Sequence, residues 1–265
     1  MNYGGIPFSI QAVNVAAQHF RGGILDAGKF QGPLMPLSTL DAAITTLMSD
    51  RAFTAQPVPS ETLQAILKMS AQLGCESDVQ PWKVHVLQSE SRDALCEKVC
   101  AAHNARRTDP HLNAEFREEY DYYPRKWFSP YIERRRENGW GLYGLLGIGK
   151  DDKDKMHAQH HRNYLFFDAP VGLMFTMHRS QGHHSLAHCG AFLQNIMIAA
   201  RLNGLHTCPQ AAWNDYAKII LPHIGAGVDD ILVCGMALGF ANENAMVNTF
   251  YTPRGPVSNF TRWLD

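Results

Sequence analysis

The sequence predicts one α/β or α+β domain in which helices cover both faces of a mixed sheet. Three observations carry that prediction. The 265 residues fit one decorated domain, and 45% hydrophobic against 18% charged residues supply a sizeable core and exclude disorder throughout. Short apolar or alternating runs at 82–88, 170–177 and 230–238 have the length and composition of strands. Helical patterns separate these runs, as in layered folds.

The elements follow in chain order. Residues 1–36 are rich in Gly and Pro and read as an N-terminal arm, with one short helix near Ile10–Phe20. Such arms often drape over a partner subunit. Residues 37–50 read as a helix with Ser38 or Thr39 as its N-cap. Ser60 then caps a second helix, whose Leu63, Ile66, Leu67 and Leu73 share a face and which Gly74 ends. WKVHVLQ (82–88) alternates like a strand, and 91–107 is helical. The polar, aromatic stretch 108–160 is too long for a loop and reads as a helical insertion or lid on the main domain of 37–265. PVGLMFTM (170–177) reads as a buried strand. An apolar helix over 190–205 ends at Gly204, a helix covers 214–224, and a last buried strand spans 229–240.

Several classes of function are excluded. With 24 Lys+Arg against 25 Asp+Glu the net charge is -1, without the basic excess of a nucleic-acid binder. No run of about 18 apolar residues is present to span a membrane. The N-terminus lacks the basic-then-apolar pattern of an export signal. The six cysteines form no CxxC pair, so free thiols in the cytoplasm are expected.

Several long motifs resemble the nitroreductase family. DRAFTAQPVPSETLQAIL followed by QPWKVHVL is similar to its Arg-Arg-Ser-x-Arg-x-Phe opening and Pro-Ser-x-x-Asn-x-Gln-Pro-Trp turn. QHHRNYLFFDAPVGLMFT, GAFLQNIMIAARLNGLHTCPQAAW and VCGMALG resemble the bacterial subgroup that contains nitrobenzoate reductases. The resemblance covers about residues 40–265. It implies a three-layer α+β sandwich in a domain-exchanged homodimer. FMN would sit at the dimer interface, with NAD(P)H as reductant and a nitroaromatic, quinone or similar small conjugated molecule as acceptor. Such a cofactor carries the redox chemistry, while the protein supplies orientation and electrostatics.

The resemblance also places a site. Ser49 and Arg51 fall on the Ser and last Arg of the opening, which hold phosphate and ribityl oxygens in relatives. Arg254 falls on a C-terminal Arg of the same use. Cys75, Asp78 and Gln80 fall on the Ser, Asn and Gln of the turn. Pro209, Gln210 and Ala211 form the stretch whose backbone lies along the flavin, with one amide aimed at N5. The match has departures: Leu47, Met48 and Tyr251 replace expected arginines, and an ionised Asp78 cannot donate as an Asn does. Each charged phosphate contact contributes about 1.5–3 kcal/mol, so these losses weaken FMN unless other cations compensate.

Thirteen histidines define an alternative. His184 and His188 stand four apart on one helical face, a spacing that ligates transition metals, and His157, His160 and His161 form a second group. Under this alternative the FMN site has degraded, and the protein binds a metal or runs another reaction. The run Arg134–Arg136 reads as a solvated helix face or an inter-subunit contact, not a nucleic-acid patch.

Overall fold

The computed structural model describes residues 39–72 and 78–264. The arm 1–36, Ser38, Leu73, Gly74 and Cys75 lie outside the described residues. The chain forms an α+β sandwich around a four-stranded sheet ordered β1-β2-β4-β3. The strands are β1 (Trp82–Gln88), β2 (Val171–His178), β3 (His206–Gln210) and β4 (Asp230–Gly239). All three pairings are antiparallel, where a mixed sheet was expected. Alternation of helix and strand does not fix strand direction. The long connection 89–170 brings β2 back alongside β1 from its far end.

The two central strands are apolar along almost their whole length, because each is covered on both faces. Val171, Leu173, Phe175 and Met177 of β2 pack with α2 (Ser60–Ser70) and α7 (His183–Leu202). Met174 faces the opposite layer with Leu232 and Ala237, against α3 (Ser89–Thr108), α8 (Ala217–His223) and the 3-10 turns Arg162–Asp168 and Ala211–Tyr216. A bulge between β2 and β4 leaves Val233 as the extra residue. Its carbonyl accepts hydrogen bonds from Tyr120 Oη (3.2 Å) and Asn214 Nδ2 (3.1 Å).

Local chemistry explains where the helices differ from expectation. Helix α1 covers only Thr39–Thr45, with Thr39 inside it. Thr45 and Thr46 turn their hydroxyls back onto the carbonyls of Asp41 and Ala42 (2.7 Å each), which competes with further helical bonding. In α2, Pro59 occupies the N-cap position and Ser60 makes no side-chain cap. The Pro59 carbonyl already accepts from Leu63 N–H at 3.1 Å, so the helix starts one residue early. Helix α7 ends as expected: Gly204 at φ 72 sends its N–H to Arg201 O, and Leu205 sends its N–H to Ala200 O. Trp82 stacks on Phe192 at 4.6 Å, packing the edge strand onto α7.

Residues 108–161 contain three helices, α4 (Leu112–Glu115), α5 (Tyr131–Leu145) and α6 (Lys153–His161), joined by irregular stretches at 116–130 and 146–152. None of the three has a buried residue. Arg134, Arg135 and Arg136 are exposed on α5, and Arg135 lies over the Trp127 ring at 5.1 Å.

Candidate active site

The loop after α1 is held on three sides. Asp50 N–H donates to Thr207 O of β3 at 3.3 Å, and Phe53 N–H to Phe167 O at 3.0 Å. Asn248 completes the clamp. Its Oδ1 accepts Arg51 N–H at 2.7 Å, and its Nδ2 donates to Ala52 O at 2.8 Å and Asn242 O at 3.0 Å. These bonds fix the backbone of Ser49–Phe53 while the Arg51 side chain stays half-buried. Arg51 Nη1 donates to Ser49 O at 3.3 Å, and the rest of the guanidinium has no hydrogen bond among the described residues. Ser49 lies against the Cys208 thiol. Burial pushes that thiol up to about 11, so it stays neutral and adds no negative charge beside Arg51.

A charged layer that sequence reasoning missed lies beneath this loop. Asp50 is 5% exposed. Burial raises its carboxyl to about 7, against the pull of Arg201 and Arg51. Arg201, in the last turn of α7, donates to Thr46 Oγ1 at 3.2 Å and meets the His206 ring. Burial and Arg201 lower His206 to about 4. A cation ending the 190–205 helix was visible in the sequence. Its electrostatic pull on Asp50, 151 positions away, was not.

The remaining predicted residues divide. Gln210 ends β3 rather than standing in a turn, and its side chain points inward. Nε2 donates to Asn163 O at 2.8 Å, and Oε1 accepts from Trp213 Nε1 at 3.2 Å. Only its backbone, with Pro209 and Ala211, remains for a ligand. Asp78 and Gln80 are exposed, have positive φ (54° and 44°), and bond to each other, Gln80 Nε2 to Asp78 Oδ1 at 2.7 Å. Arg254 is exposed and donates only to Thr252 O, at 2.6 Å. Asn248 ties the segment leading to Arg254 to the Arg51 loop, but no described bond joins the two arginines.

The metal alternative gains no third ligand. The His184 and His188 rings are 6.0 Å apart and edge-on. Among the described residues no group of three or more His, Cys, Asp or Glu is placed to hold a metal ion. An open cleft of about 420 Å³ lies elsewhere, lined by His103, Arg106, Tyr143, His157, His160 and Tyr164, among others.

With this geometry in place, the comparisons define the class: the Nitroreductase family model matches residues 44–240, and the chain belongs to that family. The chain is 33% identical over 238 residues to a 4-nitrobenzoate reductase of Nocardioides sp. (strain LMS-CY), covering 88% of this chain and 94% of that one. It is 34% identical to a chloronitrobenzene nitroreductase of Comamonas testosteroni, over 87% and 99% of the two chains. Among solved structures, an FMN and NADPH-dependent nitroreductase NfnB from Sphigopyxis sp. strain HMH superposes with a TM-score of 0.79. Its identity is 34%, over 85% of this chain and 99% of that one. NfnB from Mycobacterium smegmatis in complex with NADPH gives a TM-score of 0.79 at 27% identity, over 86% and 98%.

Proposed function

We propose that this protein is an FMN-dependent oxidoreductase that takes electrons from NAD(P)H and delivers them to a nitroaromatic, quinone or similar conjugated acceptor. The observation that carries the reading is the Arg51 loop: a clamped backbone presenting a guanidinium fork with donors to spare, in a family whose relatives are named for this chemistry. That donor set fits an anionic phosphate. Arg51 and Ser49 would hold the phosphate and ribityl end, with Arg254 as a second cation. The exposed Asp78–Gln80 turn, reached through Cys75, would border the flavin. The backbone of Pro209, Gln210 and Ala211 would run along the ring, stiffened by the bonds of Gln210 to Asn163 and Trp213. Leu47, Met48 and Tyr251 bring no charge, so the phosphate depends on fewer cations than the family pattern provides.

FMN, when bound, would supply the hydride-transfer chemistry. The chain positions the cofactor, keeps Cys208 un-ionised beside it and shields one side of the site with β3.

In our reading the catalytic unit is a homodimer. Phe260, Trp263 and Leu264 are 75%, 85% and 80% exposed, an apolar C-terminal tail suited to a second copy. Residues 37–265 are the domain, 108–160 its lid and 1–36 an arm. No helix among the described residues is long and apolar enough to cross a membrane, and Cys96, Cys100, Cys208 and Cys234 are free thiols. A cytoplasmic setting suits those thiols.

Flavin titration tests the reading. The protein freed of flavin should quench FMN fluorescence at one site per chain and, once loaded, oxidise NAD(P)H only when 4-nitrobenzoate or a quinone is added. Arg51→Ala should weaken FMN roughly 10- to 150-fold, the equivalent of about 1.5–3 kcal/mol. Neither binding nor turnover at excess FMN would end the proposal.

A further inference from the structure

Helix α6 contains no buried residue, and it meets α3 through side chains: His157 Nε2 lies 2.9 Å from Asn104 Oδ1, and Arg107 pairs with Asp154. Imidazole rings make the rest of the contact. The His103 ring of α3 lies 4.4 Å from His157 at an interplanar angle of 5°, 5.3 Å from His160 and 5.9 Å from His161. Tyr164 flanks the same His103 ring at 4.7 Å. Parallel rings such as His103 and His157 attract at this spacing when neutral, and among the described residues no group of three or more His, Cys, Asp or Glu is placed to hold a metal ion.

A hydrogen-bond chain sets the state of the central ring. Arg106 donates to the Tyr216 oxygen, and that hydroxyl lies 3.0 Å from His103 Nδ1. With the phenol donating, the His103 proton sits on Nε2, which is buried and has no partner. The nearby carboxylates are already engaged: Asp215 with Arg106 at 2.7 Å, and Asp154 with Arg107. Tyr143 of α5 adds no charge. A proton added to His157, His160 or His161 therefore meets two guanidinium groups and other imidazoles, with no unpaired carboxylate to receive it.

The stack is also wired to the candidate site. Helix α6 runs directly into the turn Arg162–Asp168, where Asn163 O holds Gln210 Nε2 at 2.8 Å and Tyr164 Oη reaches Ala212 O at 3.4 Å.

We propose that α6 is an acid-released latch: uncharged imidazoles hold it on α3, and protonation of His157, His160 and His161 frees it, opening the cleft between α3, α5 and α6 and loosening the support of Gln210. The electrostatics agree with the geometry. Burial lowers all four histidines, His103 to about 3, and neighbouring arginines or histidines add to the effect, against an opposing pull from Asp215 on His160 and from Asp154 on His157. A released helix would titrate near the ordinary value of about 6.5. The closed state is thus favoured at neutral pH and loses ground as pH falls below about 6.5. Each imidazole that must gain a proton multiplies the open population by up to about tenfold per pH unit.

Hydrogen–deuterium exchange on the full-length protein as purified, at about pH 7.5 and 5.5 with labelling times scaled for intrinsic exchange, tests this. Peptides covering 153–161 should lose protection by about tenfold or more at the lower pH, while β2 and β4 stay protected. The triple variant His157→Phe, His160→Phe, His161→Phe keeps the rings and removes the protons. It should hold α6 closed at both values. The single variant His161→Phe, the ring of the three farthest from His103 at 5.9 Å, should reduce the pH response. Unchanged protection in the wild-type chain, or a variant that opens with acid as the wild type does, would overturn the latch. Because the readout needs no turnover, it is independent of the flavin reading.

Discussion

Tyr164 is a wall shared by two regions built on different terms. On the sheet side it meets Trp213 at 5.4 Å and Tyr216 at 5.0 Å, and Phe166 lies 4.5 Å from Trp213. These rings are almost fully buried, and the Trp213 indole N–H is bonded to Gln210. On the lid side the same tyrosine meets His103 at 4.7 Å and His160 at 5.6 Å. Aromatic geometry is similar on both sides, but the stabilising terms differ. Apolar burial on the sheet side does not depend on pH, whereas ring stacking on the lid side lasts only while the rings stay neutral. The contrast shows how one structural turn can join a fixed core to a surface helix under separate control.

Mutations can break or sharpen this contrast. The largest effect is expected from Trp213→Ala, which empties the centre of the fixed side and strands Gln210 Oε1. A loss of about 3–5 kcal/mol in denaturant unfolding is expected, the same at pH 6 and pH 8. A loss below 1 kcal/mol would show that this aromatic cluster is not the keystone of its layer.

Asp50 gives an intermediate effect with the opposite pH sense to the latch. Its carboxyl is raised to about 7 in the folded chain, above the unfolded value of about 3.9. Its contribution is therefore fully present below about pH 4 and lost as pH rises through about 7, by up to about 1.4 kcal/mol per pH unit. Asp50→Asn should flatten that part of the wild-type stability profile between pH 5 and 7. An unchanged slope would place the titration elsewhere.

The smallest effect concerns the ion pair on the lid. Arg107 and Asp154 are 47% and 85% exposed. Asp154→Asn should cost less than about 1 kcal/mol in local opening of α6, the usual scale for exposed pairs. If it instead released α6 at neutral pH, the ion pair rather than the ring stack would be the fastener.

Much of the fold was legible because it follows local rules. β1 was readable from the alternation around 84–88, although Leu87 is the residue buried and Val86 is exposed, and the end of α7 was readable from a glycine that adopts positive φ. The three helices within 108–161 agree with a stretch too long for a plain loop, but the irregular run at 116–130 had no signal in the sequence. Strand direction was not legible, since it depends on the whole course of 89–170. Nor was β3, five residues with a proline inside that read as a turn and become a strand only by pairing with β4. The site divides similarly. Arg51 is recognisable from its motif, but Asn248, which clamps it from 197 positions away, carries no local signal. The inward turn of Gln210 depends on Asn163 and Trp213, both distant until the sheet forms. His103 escaped attention because one histidine in an ordinary amphipathic helix looks like any surface residue until α6 is laid on it.

The turn before β2 has a further consequence. Phe166, Phe167 and Asp168 all have positive φ, at 50°, 52° and 69°, a conformation costing about 1–2 kcal/mol per residue outside glycine. Burial of the two phenylalanines offsets that cost, and Phe166 can be buried only because Gly172 leaves room: a Cβ there would come within 2.4 Å of the ring. Positions 166 and 172 are thus one unit of sequence change. A side chain acquired at 172 would be tolerated only in a chain that had already given up the benzyl group at 166, and with it the reason for the left-handed path.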